Sequence, residues 1–351
     1  MPKLGVVMVG MVAASAAVRA EGVRFEPDAS PPGRWAALEG RHLKKVRQLT
    51  SPSMGLDKSG EAYFSPDGRR IIFQAYPRGQ SEYQMFVMEL DPVGRAIERT
   101  LKQVSPGGGP CTCGYFRPDG RRILFGSAHL GPTTQGASVY HRERSGYRWE
   151  MPPGMDIFET DLDGGNPKRL TTTAGYDAEA AYSRDGRRIV FTSCRDDGDP
   201  EIYVMDADGS HARRLTRSPG YDGGPFLSPD GQRIIFRADR RKDDLLQLYV
   251  INADGSGERQ LTDTEYVNWG PYWHPNGRTI AFATSAHGHM NYEVYLMQVE
   301  RGTVARVTYR DGFDGLPVFS NDGGRLMWTS KRGPDGTSQV FVADFTLPDG
   351  F

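Results

Sequence analysis

Four polar residues recur at a near-constant interval in this 351-residue chain: Asp177, Asp222, Asn268 and Asp314 lie 45, 46 and 46 positions apart. Side chains repeated in this way meet only if the chain folds into a ring of similar units. Three carboxylates and an amide around one opening make an oxygen-rich set suited to a hard cation, calcium or another divalent ion. Glu179 lies two positions beyond Asp177, and Glu61 holds the equivalent place in an earlier unit. A repeated Asp also caps its own tight loop, so the set reads either as a ligand site or as a folding device. His129, His287 and His289 supply imidazoles for a transition metal or a general base, or are solvent-facing loop residues. Arg237 is a lone cation in the same region; it either pairs with Asp222 or receives an anionic group. Arg240 to Asp244 reads as a solvated charged loop. Tyr147 and Trp149, close to Pro152 and Pro153, form either a contact patch for a sugar or peptide or a packing lid.

The elements that must position these residues follow from a repeat. An aromatic or Leu, a polar residue, usually Pro, then Asp-Gly, basic residues and an apolar triplet occur six times. The turns end at Gly68, Gly120, Gly186, Gly231, Gly277 and Gly323, spaced 52, 66, 45, 46 and 46. Asp-Gly or Asn-Gly between apolar runs predicts a hairpin. Each unit therefore reads as four strands: a run before the turn (a), a triplet such as Ile71-Ile-Phe73 after it (b), an alternating strand such as Glu201-Ile-Tyr-Val-Met205 (c), and a short basic strand such as Arg213-Arg-Leu-Thr216 (d). Four-stranded units of about 45 residues predict propeller blades. Pro225, Pro271 and Pro317 share one phase in strand a, and proline belongs on an edge strand, so strand a is innermost and faces the channel. The last unit lacks a strand d, while Lys45-Val-Arg-Gln-Leu-Thr50 is a strand d without a unit. The predicted fold is an all-β six-bladed propeller of four-stranded blades, closed by an N-terminal strand that completes the last blade. Strand alternation then puts the d-to-a and b-to-c loops on one face, with Asp177, Asp222, Asn268, Asp314, Glu61 and Glu179 around the channel mouth. The 66-residue spacing places an insertion at about 127–154 on the same face, a loop long enough to carry function.

These repeats, together with Tyr203-Val-Met-Asp-Ala-Asp-Gly-Ser210, Arg214-Leu-Thr216, Gly175-Tyr-Asp177, Gly220-Tyr-Asp222 and Gly312-Phe-Asp314, resemble the TolB-like six-bladed propellers over residues 42–345. The likeness is to an exported branch rather than to TolB proper, whose propeller follows a separate α/β domain; here residues 21–43 precede the first propeller strand. The resemblance implies a binding or scaffold role. Propellers of related kind also precede serine peptidase domains, but this chain has no G-x-S-x-G elbow.

Composition sets the remaining bounds. The formal charge is −1, without the basic bias of a nucleic-acid binder. Lys3, an apolar run from Leu4 to Val18 and Val18-Arg19-Ala20 read as a cleavable secretory signal over residues 1–20. The run is shorter than a membrane span, so no stable membrane anchor is expected after cleavage, and the expected location is periplasmic or secreted. The expected organisation is a signal at 1–20, an extension at 21–43 and a single propeller at 44–351. Cys111, Cys113 and Cys194 allow at most one bridge, from Cys194 to either of the others, and Cys-Thr-Cys is not a zinc spacing. The reading that best fits is a binding module for an envelope protein, peptide or glycan at the channel mouth; the alternative is a metal-dependent carbohydrate lyase or hydrolase using the same face.

Overall fold

The computed structural model describes residues 23, 25, 33–131 and 151–351. The expected signal and the core of the insertion, with Tyr147 and Trp149, lie outside the described residues. Six four-stranded antiparallel sheets form a ring. Strands a are Leu56–Phe64, Cys111–Phe116, Asp177–Tyr182, Asp222–Leu227, Asn268–Trp273 and Asp314–Phe319 for blades one to six. Each lies at the inner edge of its sheet, followed outward by b, c and d. The six-bladed propeller is as expected from the repeat.

The b triplets form the core. Ile71, Ile72 and Phe73, and their counterparts up to Leu326, Met327 and Trp328, are 0–1% exposed. Strand b is flanked by a and c in its own sheet and by neighbouring blades on both faces. An apolar residue at every position, not an alternating pattern, follows from that double burial. Hairpins are held by their own side chains: in blade one the Asp67 carboxylate accepts from the Ser65 hydroxyl at 2.6 Å and from the Arg69 amide at 3.0 Å. The same pair recurs at Ser183/Asp185, Ser228/Asp230 and Ser320/Asp322.

Strand d is shorter than the sequence suggests, two residues in four blades. Its work is done by the hydroxyl that follows. The Thr216 hydroxyl accepts the Ile202 amide at 2.9 Å and donates to the Glu201 carboxylate that starts strand c. Thr171, Thr262 and Thr308 accept the equivalent amides in blades two, four and five, and Ser105 does so in blade one. In blade six the clasp is made by Thr50, which accepts the Val340 amide at 2.9 Å and donates to Gln339 at 2.7 Å. The N-terminal strand Leu43–Gln48 pairs with Gln339–Phe345 and closes the ring. A short helix before it, Trp35–Glu39, buries Glu39 against Arg332 at 2.9 and 3.1 Å.

Candidate functional site in the central channel

Every strand a breaks register at an equivalent place, the third residue in blades two to six and Glu61 in the longer strand of blade one. There the backbone turns left-handed in all six blades: Glu61 (φ 45°), Cys113 (53°), Glu179 (54°), Gly224 (60°), Gly270 (59°) and Leu316 (52°). For a residue with a Cβ this conformation costs about 1–2 kcal/mol, and such outliers gather where structure serves function. The bulge also frees the residue's amide from its own ladder. In blades one and four the preceding blade receives it through a strand b side chain: Glu61 N donates to Thr329 Oγ1 at 3.0 Å, and Gly224 N to Thr192 Oγ1 at 3.2 Å. The fold thus lines the channel with one ring of six positions whose geometry is fixed and whose chemistry is not.

That ring holds Glu61, Cys113 and Glu179 in blades one to three. Arg237, from strand b of blade four, reaches them because Gly224 leaves room: a Cβ there would lie 1.6 Å from the guanidinium. Glu179 accepts from Arg237 at 3.2 Å, from the Tyr221 hydroxyl at 2.7 Å, from Thr192 at 2.9 Å and from the Gly224 amide at 2.6 Å. Glu61, 8% exposed, accepts a long hydrogen bond from the Tyr63 hydroxyl at 3.3 Å and another from the Cys113 thiol. Burial pushes the Glu61 carboxyl up, with Cys113 and Arg237 pulling the other way and Glu179 adding to the rise. Burial and the nearby Glu61 hold the Cys113 thiol well above its usual range. Burial acts to lower the Arg237 pKa, but Tyr221, Glu179 and Glu61 outweigh it, so the group stays cationic. Among these side chains two carboxylates face one guanidinium.

The cavity between them has room for about 20 Å³, enough for about one water. Its floor is an aromatic plug. Tyr63, Tyr115, Phe226 and Tyr272 meet with ring centroids 5.0–6.1 Å apart, and the Tyr115 and Tyr272 hydroxyls are 3.0 Å apart. Access to the chamber is therefore from the loop face.

The phased Asp residues sit at the first position of strand a rather than in the loop before it, and each carboxylate is held by an arginine eighteen positions on. Arg195 binds Asp177 at 3.1 Å to both oxygens, Arg240 binds Asp222 and Arg332 binds Asp314 at 2.6 Å. Two expectations need correction. Arg237 pairs with Glu179, not Asp222, and Arg240 is not solvated but bridges Asp222 and Glu258. The reason is the b-to-c loop, which folds back over the mouth and delivers its arginine to the Asp of its own blade. The Asp pKa values do rise, Asp222 to about 7, but the first cause is burial rather than repulsion between neighbours across the ring. Asn268 donates to Gln247 at 3.1 Å and to Thr264 at 2.9 Å.

His129 lies beside Ser127 at 2.8 Å and against Phe158, and burial and Arg169 lower its pKa. His287 meets the Tyr295 hydroxyl at 2.6 Å, and His289 lies at the edge of Tyr292. Among the described residues no three His, Cys, Asp or Glu side chains gather as a metal site. Cys111, Cys113 and Cys194 are free thiols. His274, at the hairpin face, accepts the Asn276 amide and packs edge-on to Phe319. Sequence reasoning passed over Cys113 and Tyr221 as partners of the two glutamates. The aromatic of Gly-Tyr-Asp222 was the available signal for Tyr221, and Gly224 and Gly270 at one phase were the signal for the left-handed ring.

A family model described as the TolB beta propeller domain matches residues 152–265 and 247–348. No curated protein matches the chain. Among solved structures, a TolB-type protein of Agrobacterium tumefaciens is 21% identical, with a TM-score of 0.57 over 87% of this chain and 99% of that one. TolB of Acinetobacter baumannii is 20% identical, with a TM-score of 0.54 over 82% of this chain and 64% of that one. An oligogalacturonate lyase in complex with manganese is 15% identical, with a TM-score of 0.52 over 86% of this chain and 93% of that one. At such identities the likeness is one of fold.

Proposed function

This chain belongs to the TolB beta propeller family, and from that premise we propose that it is an exported binding module of the bacterial envelope or exterior. Its ligand is a protein or peptide that reaches the channel from the loop face and presents a lysine ammonium to Glu61 and Glu179. One observation carries this reading: the left-handed ring holds two buried carboxylates at the end of a chamber with a single guanidinium between them. The imbalance favours a cation. The chamber's 20 Å³ suits an ammonium, close in size to a water, better than a phosphate or a sugar ring. The expected signal at 1–20 supports a periplasmic or secreted location, and no helix among the described residues is long and apolar enough to cross a membrane.

Short lysine peptides and their acetyl-lysine counterparts, titrated by calorimetry, test the reading. Lysine peptides should bind, acetylation should abolish binding, and Glu61→Gln should weaken it at least tenfold. Equal binding of acetylated and free peptides would overturn it.

The fold likeness to a manganese-bound lyase favours one second reading, a metal-dependent carbohydrate lyase or hydrolase at the same mouth. The histidines read for it, His129, His287 and His289, do not gather as a metal site among the described residues, so a calcium or transition ion at this mouth would need other donors. A melting shift with millimolar calcium, manganese or zinc would support it.

A further inference from the structure

The first hairpin spacing, 52 where 46 is usual, comes from an insertion in blade one on the outside of the ring. Twelve residues, 90–101, separate its third strand, Gln84–Glu89, from its fourth, Lys102–Gln103, against six in blades two, three and four. The added length makes a turn that its own Asp91 fixes: the carboxylate accepts the Val93 amide at 3.0 Å and the Arg95 amide at 2.7 Å. Gly94, left-handed at φ 78°, lays this turn against blade six. A Cβ there would stand 3.3 Å from the Arg325 guanidinium and 3.5 Å from that of Arg47.

The outer edge of Leu43–Gln48 faces the turn. That strand loses register between Lys44 and Arg47, with Lys45 left-handed at φ 50°. A bulge re-aims side chains, and Val46 comes out 41% exposed; Val93 on the turn is 57% exposed. Between edge and turn runs a groove of about 640 Å³ lined by both valines. Its charge is one-sided. Lys45, Arg47, Arg95 and Arg325 line it with one carboxylate, Asp344, in a chain whose formal charge is −1. Asp344 already takes Lys45 at 3.1 Å and Arg47 at 2.8 Å. Arg325 donates to the Gly68 carbonyl at 2.9 Å and lies over the Phe64 ring. Arg95 is exposed and has no ion-pair partner among the described residues.

We propose that this seam between blades six and one is a docking groove for an acidic segment of a partner protein, which sets an aliphatic side chain between Val46 and Val93 and its carboxylates on Arg95 and Lys45. Charge complementarity selects the sign of the partner, and the arginine fork adds charge-assisted hydrogen bonds beside apolar surface. The concave shape selects its form. An extended chain reaches down toward Arg47 and Arg325, the less exposed cations, whereas a flat bilayer meets only the rims. Both walls are fixed beforehand, the turn by Asp91 and the edge by its pairing with Gln339–Phe345, so little ordering opposes binding. The groove shares no lining residue with the channel and does not depend on the function proposed for the loop face.

Fluorescein-labelled Asp-Glu-Leu-Glu-Asp, its amide counterpart Asn-Gln-Leu-Gln-Asn and the leucine-free Asp-Glu-Gly-Glu-Asp, followed by anisotropy against the full chain, test the proposal. The acidic leucine peptide should bind at least tenfold tighter than either of the others. Arg95→Glu should cost about tenfold in affinity and Val93→Ser about fivefold, with the melting temperature unchanged because both side chains are exposed. Arg99→Glu, the same charge change on the same insertion but outside the groove, should change affinity less than twofold. Absence of binding by the acidic leucine peptide at millimolar concentration overturns the proposal; cosedimentation with phosphatidylglycerol vesicles in that case would make the groove a lipid site instead. Equal binding of the amide or the glycine peptide also overturns it, as does an Arg95→Glu variant that binds like the parent.

Discussion

Glu61 is a carboxylate kept in a poor place for a charge, buried and with a second carboxylate nearby. Its folded pKa is raised, so its stabilising contribution is present in acid and is lost as pH rises through that value. Glu61→Gln removes the penalty. The variant should melt above the parent at pH 8, and the gap should close toward pH 4. The same raised pKa makes cation binding release a proton, so lysine-peptide affinity should climb with pH and then level off; calorimetry in buffers of different ionisation enthalpy reads the proton directly. Asp222 behaves differently, because Arg240 embraces it. Arg240→Gln leaves a fully buried carboxylate without its cation, and the expected cost is about 3–5 kcal/mol, measured by denaturant unfolding. Both glutamates were legible as members of an in-phase set. That Glu61 and Glu179 face the channel while the aspartates are tied down was not. The difference rests on a left-handed backbone that Glu and Cys do not advertise, and on arginines whose loops had to fold before their partners were decided.

Strand d shows how an element is specified by something other than its own ladder. Two paired residues are too few to hold an edge, and the Thr that follows clasps the neighbouring strand instead. Thr216→Val should leave the Ile202 amide and the Glu201 carboxylate without this partner, at an expected cost of about 1–3 kcal/mol; Thr216→Ser should recover most of it. Thermal melts of the pair separate hydroxyl from methyl. The repeated Leu-Thr was visible in the sequence as a strand end, but a hydroxyl that accepts one bond and donates another can be recognised only once strand c is beside it. The b triplets were simpler. Burial on both faces demands apolar residues at every position, and that demand is written directly in Ile71-Ile-Phe73 and its copies.

For the molecule as a whole, the missing last strand and the surplus first one already implied a closed ring, since each solves the other's exposed edge. The helix Trp35–Glu39 was hidden in the extension: five residues carry too little periodicity to announce it, and Glu39 looks like any surface acid until Arg332 is in place. Deleting residues 41–50 should expose the edge of Gln339–Phe345 and remove the Thr50 clasp. The expected result is aggregation or loss of a single cooperative melt, checked by calorimetry and light scattering; a deletion variant that melts like the parent would exclude the closure as a stabilising device.

Closure of this kind also fixes an order of events. Thr50 and its partner Gln339 are 289 positions apart, so the first strand made is the last to be satisfied. A chain emerging from a ribosome or a translocation pore carries the Leu43–Gln48 edge unpaired until almost everything else has followed. Contacts this distant in sequence slow folding. Blades two to five can assemble meanwhile from neighbouring hairpins, but the ring stays open until the end is delivered. A protein fastened in this way is kept unlocked throughout its passage and becomes fixed only on arrival.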